Sequence, residues 1–160
     1  METDKVGLGT GEDIYLKEGF QPLINANAIS VAHPDVLTAG GILETKKIGD
    51  LAQERGIALV VHMAESPIGC MAAVHASAAS ENFLALEYHS ADIPWWDDMV
   101  EGPSKPIVSR GFITVPDAPG LGIESLNDDV IKAHLDPTMP GFWEPTDRWD
   151  GEWSHDRTWS

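Results

Sequence analysis

The run Ile57–Val61 is continuously apolar and of strand length, and it lies between two stretches of helical character. A strand covered on both faces reads this way. Leu43–Arg55, before it, carries Ile48, Leu51 and Ala52 on one face and Lys46, Lys47, Asp50, Gln53 and Glu54 on the other, and Gly56 stands where a glycine ends a helix. After it, Ser66-Pro67 supplies an N-cap residue and a proline for the first turn. A small-residue helix follows to about Ser80, with Ile68, Met71, Ala72, Ala76 and Ala79 inside. Phe83–Leu86 is the next buried strand, and it ends at Glu87.

The same alternation reaches back to the start of the chain. Val6–Leu8 reads as a short strand running into a glycine turn before Glu12. Tyr15–Ala28 reads as a helix with Leu16, Phe20, Leu23 and Ile24 on one stripe, interrupted by Pro22. Asp35–Thr38 reads as a second short strand. Strand and helix in turn predict a parallel sheet with helices outside. The alternating Gly7, Gly9 and Gly11 do not have dinucleotide-binding spacing, which excludes that reading.

Beyond Glu87 the character changes. Residues 88–126 are rich in Pro, Gly and Trp and read as loops with a short strand near Phe112–Val115, and Asn127–Leu135 reads as a last helix. Residues 136–160 have little periodicity but hold Trp143, Trp149, Trp153 and Trp159. Tryptophan buries a large area, so this tail is expected to pack on the first domain, residues 1–135, or on a neighbouring subunit.

Charge narrows the function. The 160 residues carry 10 Lys+Arg against 26 Asp+Glu, a net charge of −16, which repels nucleic-acid backbones. High-salt adaptation produces the same acidity. An anionic substrate needs a bound cation to offset the repulsion. The single cysteine, Cys70, allows no intrachain disulfide and suits a cytoplasmic setting. There is no apolar run long enough to span a membrane and no signal-peptide pattern, so no membrane partner is expected.

Four polar residues, Glu12, Asp35, His62 and Glu87, stand at or just after strand ends. Parallel α/β folds bind ligands there. Taken singly, they read equally well as a loop acid, a turn cap, a core histidine and a surface charge. Taken together, they suit proton transfer: Asp35 holds the His62 imidazole, Glu12 offers oxygen to a hard cation, and Glu87 meets a substrate oxygen or balances charge. His89 follows and reaches towards substrate. His33 lines the turn before Pro34, His75 packs inside its helix, and His134 and His155 are surface residues. Trp95-Trp96 walls the site or an interface. There is no zinc-ligand spacing and no serine-nucleophile motif.

These residues carry a resemblance. Gly11-Glu12, His33-Pro34-Asp35-Val36 with Gly40-Gly41-Ile42, His62 followed by Ser66-Pro67, and Asn82-Phe83 with Glu87 resemble the mandelate racemase/muconate lactonizing group of the enolase superfamily. The ending Gly111-Phe112-Ile113 to Pro116 and Pro119-Gly120-Leu121-Gly122-Ile123 is similar too. The tail from Phe142 to Ser160 resembles acid-sugar dehydratases of the galactonate and gluconate type. Spacings agree as well: 23 residues from Glu12 to Asp35 and 27 from Asp35 to His62.

The resemblance implies an α/β fold, the C-terminal portion (about strands five to eight) of a TIM-type (β/α) barrel with a Trp-rich extension. It implies that Glu12 is the third Mg²⁺ ligand, that Asp35 and His62 are the catalytic dyad, and that Glu87 is the acid on the last strand. The implied reaction is Mg²⁺-dependent dehydration of a sugar acid, begun by removing the proton α to the carboxylate, with His62 as base or returning acid.

The capping domain, the first half-barrel, a lysine and two further metal ligands have no counterpart here. The chain alone is therefore expected to be inactive, and to need either those parts in one longer protein or a complementing chain, in a homo-oligomer. A racemase or epimerase of the same group, and a non-catalytic half-barrel or gene remnant, are the alternatives.

Overall fold

The computed structural model of the chain describes residues 6–138. Four strands, β1 (Gly9–Thr10), β2 (Val31–Ala32), β3 (Ala58–Val61) and β4 (Phe83–Leu86), form one sheet in sequence order. Every pairing is parallel, with Gly9 opposite Val31, Val31 opposite Ala58, and Leu59 opposite Phe83. Helices α1 (Leu16–Asn25), α2 (Ile42–Gln53) and α3 (Pro67–Ala78) make the connections. This is the expected α/β alternation with a parallel sheet.

The helices cover one side of the sheet. Phe20, Ile24, Ile48, Ala52, Leu59, Val61 and Ala76 are all fully buried in one core. Burying side chains the size of the Phe, Ile, Leu and Val residues among them contributes about 1.5–3 kcal/mol each. The turn between β1 and α1 depends on Gly11. Its φ is +139°, and a Cβ there would stand 2.4 Å from the Phe20 ring. Pro22 lies inside α1 without ending it.

Several expectations change. Val6–Leu8 precedes the first strand rather than forming it, although the Leu8 carbonyl already accepts from Ser30 and Val31 N–H. Asp35–Thr38 is not a strand. The strand is Val31–Ala32, and Asp35 keeps a single parallel bridge to His62 before the chain turns, with Pro34 O accepting the His62 N–H at 3.0 Å. Two strands expected to be covered on both faces are not. β3 alternates, with Leu59 and Val61 buried and Ala58 and Val60 half-buried, and β4 exposes Phe83, Leu84 and Ala85. Among the described residues, one side of the sheet carries the helices, and β4 is an outer strand. Ser66 sits at the N-cap of α3 without a side-chain cap bond, and Ile68 and Ala79 of that helix are exposed.

After β4 the chain wraps over the far face of α3. A 3₁₀ turn (Asp97–Met99) leads to β5 (Val100–Glu101), which pairs antiparallel with β6 (Ser125–Leu126). Helix α4 (Asp128–Ala133) follows, with Asn127 as N-cap accepting from Val130 N–H at 3.3 Å. Phe112–Val115 is not a strand; Phe112 makes one isolated bridge with Ser109. Trp96, Val100 and Ile107 join Met63, Cys70, Met71 and Val74 in a second core. The small side chains of α3 allow this double burial: Gly69, Ala72, Ala73 and Ala76 leave room on both sides. The four tail tryptophans, residues 143, 149, 153 and 159, and His155 lie outside the described residues.

Candidate active site at the strand ends

The parallel sheet brings the four strand-end residues together. Glu12 follows β1, Asp35 is bridged to His62 beyond β2, His62 follows β3, and Glu87 follows β4 with its N–H on Val61 O at 2.9 Å. His62 is the centre. Its Nδ1 lies 2.8 Å from Asp35 Oδ2. Its Nε2 lies 3.3 Å from Glu12 Oε2 and 3.6 Å from Glu87 Oε2. Asp35 is 3% exposed, which makes its orientation depend on internal bonds. Its Oδ1 accepts the Leu37 and Thr38 N–H groups at 2.7 and 3.0 Å, leaving Oδ2 for the imidazole.

The charges follow from this packing. Burial works to raise the Asp35 pKa, but hydrogen bonds from Glu65, His62, Thr38 and Leu37 outweigh it and hold the group below its ordinary value. Burial works to lower the His62 pKa. The Asp35 hydrogen bond and charge, with the charges of Glu87 and Glu12, outweigh it and raise the value. Glu87 is lowered by its hydrogen bond with His89, against a small burial effect and with help from the charges of His33, His62 and His89. The balancing role for Glu87 therefore fits the site better than a standing protonated acid. His89 meets it through Nε2 at 2.9 Å from Oε1 and is 54% exposed at the site's edge.

Two further residues belong to the site. His33 does more than line a turn. Its Nε2 is 3.1 Å from Glu87 Oε2, and its Nδ1 is 3.0 Å from Val60 O. Carbonyl and ionised carboxylate both only accept, so His33 bonds both partners at once only as imidazolium, donating through Nδ1 to Val60 and through Nε2 to Glu87. Glu65, four residues past β3, brings a carboxylate oxygen within 4.8 Å of Asp35 and His62, and its Oε1 is 3.9 Å from His62 Nδ1. The pair Trp95-Trp96 does not wall this site: Trp96 belongs to the second core, and Trp95 stacks on His134 with ring centroids 4.1 Å apart.

Among the described residues, two groups of side chains have ligand-capable atoms within 4.8 Å of one another: His62, Glu87 and His89, and Asp35, His62 and Glu65. Both depend on the imidazole that Asp35 already holds. Mg²⁺ prefers oxygen ligands. Glu12, the expected ligand, offers such an oxygen on a carboxylate that is 56% exposed but belongs to neither group.

A sequence profile of the family described as enolase C-terminal domain-like matches residues 2–130. The chain belongs to this family. It is 40% identical over 128 residues to a D-xylonate dehydratase of Haloferax volcanii, covering 80% of this chain and 30% of that protein. It is 27% identical over 155 residues to a D-galactonate dehydratase of Ralstonia pickettii, covering 91% of this chain and 40% of that protein. Among solved structures, a mandelate racemase/muconate lactonizing enzyme-like protein from Rubrobacter xylanophilus superposes with a TM-score of 0.80 at 34% identity, over 85% of this chain and 34% of the other. The enolase-family chain thus spans 30% and 40% of the length of these curated relatives. Among the described residues, no helix is long and apolar enough to cross a membrane.

Proposed function

We propose that this chain supplies the dyad half of an active site that dehydrates an aldonate, within a larger or split cytoplasmic enzyme. The observation that carries the reading is His62, held through Nδ1 by a buried Asp35 and presenting Nε2 to Glu12 and Glu87. Asp35 accepts only, so Nδ1 carries the hydrogen, and in the neutral ring Nε2 is the basic nitrogen. That nitrogen can take a proton from the carbon α to a carboxylate. Alternatively, as imidazolium, it can deliver one to a departing β-hydroxyl. Asp35 fixes the ring orientation and stabilises the imidazolium. Removing the α-proton and expelling the β-hydroxyl as water yields an enol, which becomes a 2-keto-3-deoxy acid. The relatives named for xylonate, galactonate and arabinonate support an aldonate as the substrate class.

Glu12 would hold Mg²⁺ together with ligands from the missing half, and the bound cation would supply positive charge to the substrate carboxylate. Glu87 and His89 would sit beside the substrate, with His33 holding Glu87 in place. Both outer strands support a requirement for more protein. Among the described residues, β1 pairs on one side only, with β2, and β4 pairs on one side only, with β3. Such edges invite further strands. We expect those strands to come from an N-terminal half-barrel with its capping domain, and the completed unit to form a homo-oligomer.

The test joins this chain to a segment bearing the cap and first half-barrel and assays a panel of aldonates with Mg²⁺. A keto-deoxy acid that disappears with EDTA is the expected product. Exchange of the α-proton for deuterium without a keto product would make it a racemase instead. Neither reaction on any aldonate would favour a non-catalytic chain.

A further inference from the structure

We propose that two copies of this chain pair edge to edge, β1 of each with β4 of the other, and close their two four-stranded sheets into one eight-stranded parallel barrel. The first observation is the pair of free edges. Among the described residues, β1 pairs only with β2 and β4 only with β3, and the four strands run parallel in sequence order. A second copy, turned about a twofold axis running along the strands, satisfies both edges at once. Each β4 meets the other copy's β1, an isologous contact that closes on itself. Eight is also the number of parallel strands at which a sheet with helices outside closes around an interior filled by side chains.

The second observation is the face of the sheet without helices. Val31 stands opposite Ala58, and Val60 opposite Ala85. Ala32, Leu59 and Val61 alternate with them and are buried in the core under the helices. Val31, Ala58 and Val60 therefore belong to the other face, where they are half-buried, and Ala85 there is exposed. These four positions are apolar and uncharged, and a parallel sheet is normally covered on both faces. Closure places this face inside the barrel. The β4 edge is apolar too, with Leu84 67% exposed, and such an edge is a template for another strand.

Charge opposes the contact. Each copy carries −16, so two copies repel at low salt and the pair is favoured as salt screens them. The pair uses the same edges as the N-terminal half-barrel of the complete enzyme, so the two partners exclude each other. It stands independently of the reaction assigned to His62. All eight strands of the pair run one way, which puts the strand-end residues of both copies at one mouth.

The experiment is sedimentation equilibrium of the full 160-residue chain at increasing salt. One step from single copies to pairs is expected, with Kd falling at least about tenfold between about 0.01 M and about 1 M salt. Ala85→Glu on the uncovered face and Leu84→Glu on the edge should each raise Kd by at least about tenfold, the scale of like charges forced together in an interface. Both positions are exposed, so the single copies should keep the circular dichroism spectrum of the unaltered chain. Leu43→Glu on α2, at a position 68% exposed, should leave Kd unchanged. Hydrogen exchange gives a second reading without substitution: amides of β1 and β4 should gain protection as protein concentration rises. Single copies at every salt concentration, assemblies growing beyond two copies, or pairs indifferent to both Ala85→Glu and Leu84→Glu would overturn the proposal. No readout needs turnover, so a completed enzyme that dehydrates nothing would sink the proposed reaction and leave the pairing to be decided by mass.

Discussion

The strand–helix units from Gly9 to Glu87 and the segment from Tyr88 to Ala133 meet on the two faces of α3, and each buries its own core there. They differ in what their order supplies. In the first region a repeated unit places one polar side chain at each strand end, so the sheet itself assembles the site. In the second region order comes from a few anchors: Trp96, Val100 and Ile107 in the core, a two-residue strand pair, and one capped short helix. Chemistry is concentrated in the first region and packing support in the second, and substitutions should separate the two.

The largest effect is expected at Asp35. In the completed enzyme, Asp35→Asn should lower kcat by about 10⁴-fold, the scale of losing a tautomer-fixing carboxylate. The acid limb of the chain's stability curve should change with it. The folded Asp35 pKa lies below its unfolded value, so its contribution is present above that unfolded value and is lost as pH falls through the folded one. Asp35→Asn removes this dependence, which denaturant melts from neutral to acid pH would detect. Unchanged turnover would dissolve the division between the two regions.

Next is Trp96→Ala. It empties a buried site and leaves the Glu65 carbonyl without its indole donor, for a loss of about 3–5 kcal/mol. Urea unfolding measures it. A loss of only a few tenths would show that the later segment is a loose cover and not a second core. Asn127→Ala removes the cap of α4 and should cost about 1 kcal/mol, read the same way. Smallest is Lys47→Ala on the outer face of α2. Its ion pair with Glu44 is half-exposed, and losing it should leave the urea midpoint almost unchanged.

The same contrast explains what can be read from the residues. Ile57–Val61 and the helix before it announce themselves because each needs many side chains of one period, and Glu12, His62 and Glu87 follow from the strands they end. β2 is harder to see. It has only two residues, and Asp35 beyond it is placed by a bridge to His62 that local pattern does not reveal. β5 and β6 have two residues each and pair across some two dozen positions, too short for any alternation to show. Glu65 gives no local sign of its place, because Asp35, near its carboxylate, and Trp96, whose indole N–H its backbone carbonyl accepts, lie 30 and 31 residues away. His33 has the same difficulty: its partners Val60 and Glu87 are distant in sequence. Trp96 reads as a wall of the site or of an interface because tryptophan suits walls and cores alike, and its place in the second core decides the matter.

The most direct test is His62→Asn in the completed enzyme, with keto-deoxy acid formation, α-deuterium exchange and aldonate affinity measured on the same preparation. If His62 moves the proton, dehydration should fall by about 10²–10⁴-fold while affinity and thermal stability stay close to those of the unaltered enzyme. Dehydration at the unaltered rate by the His62→Asn protein would contradict the assignment of His62 as the proton-transfer group.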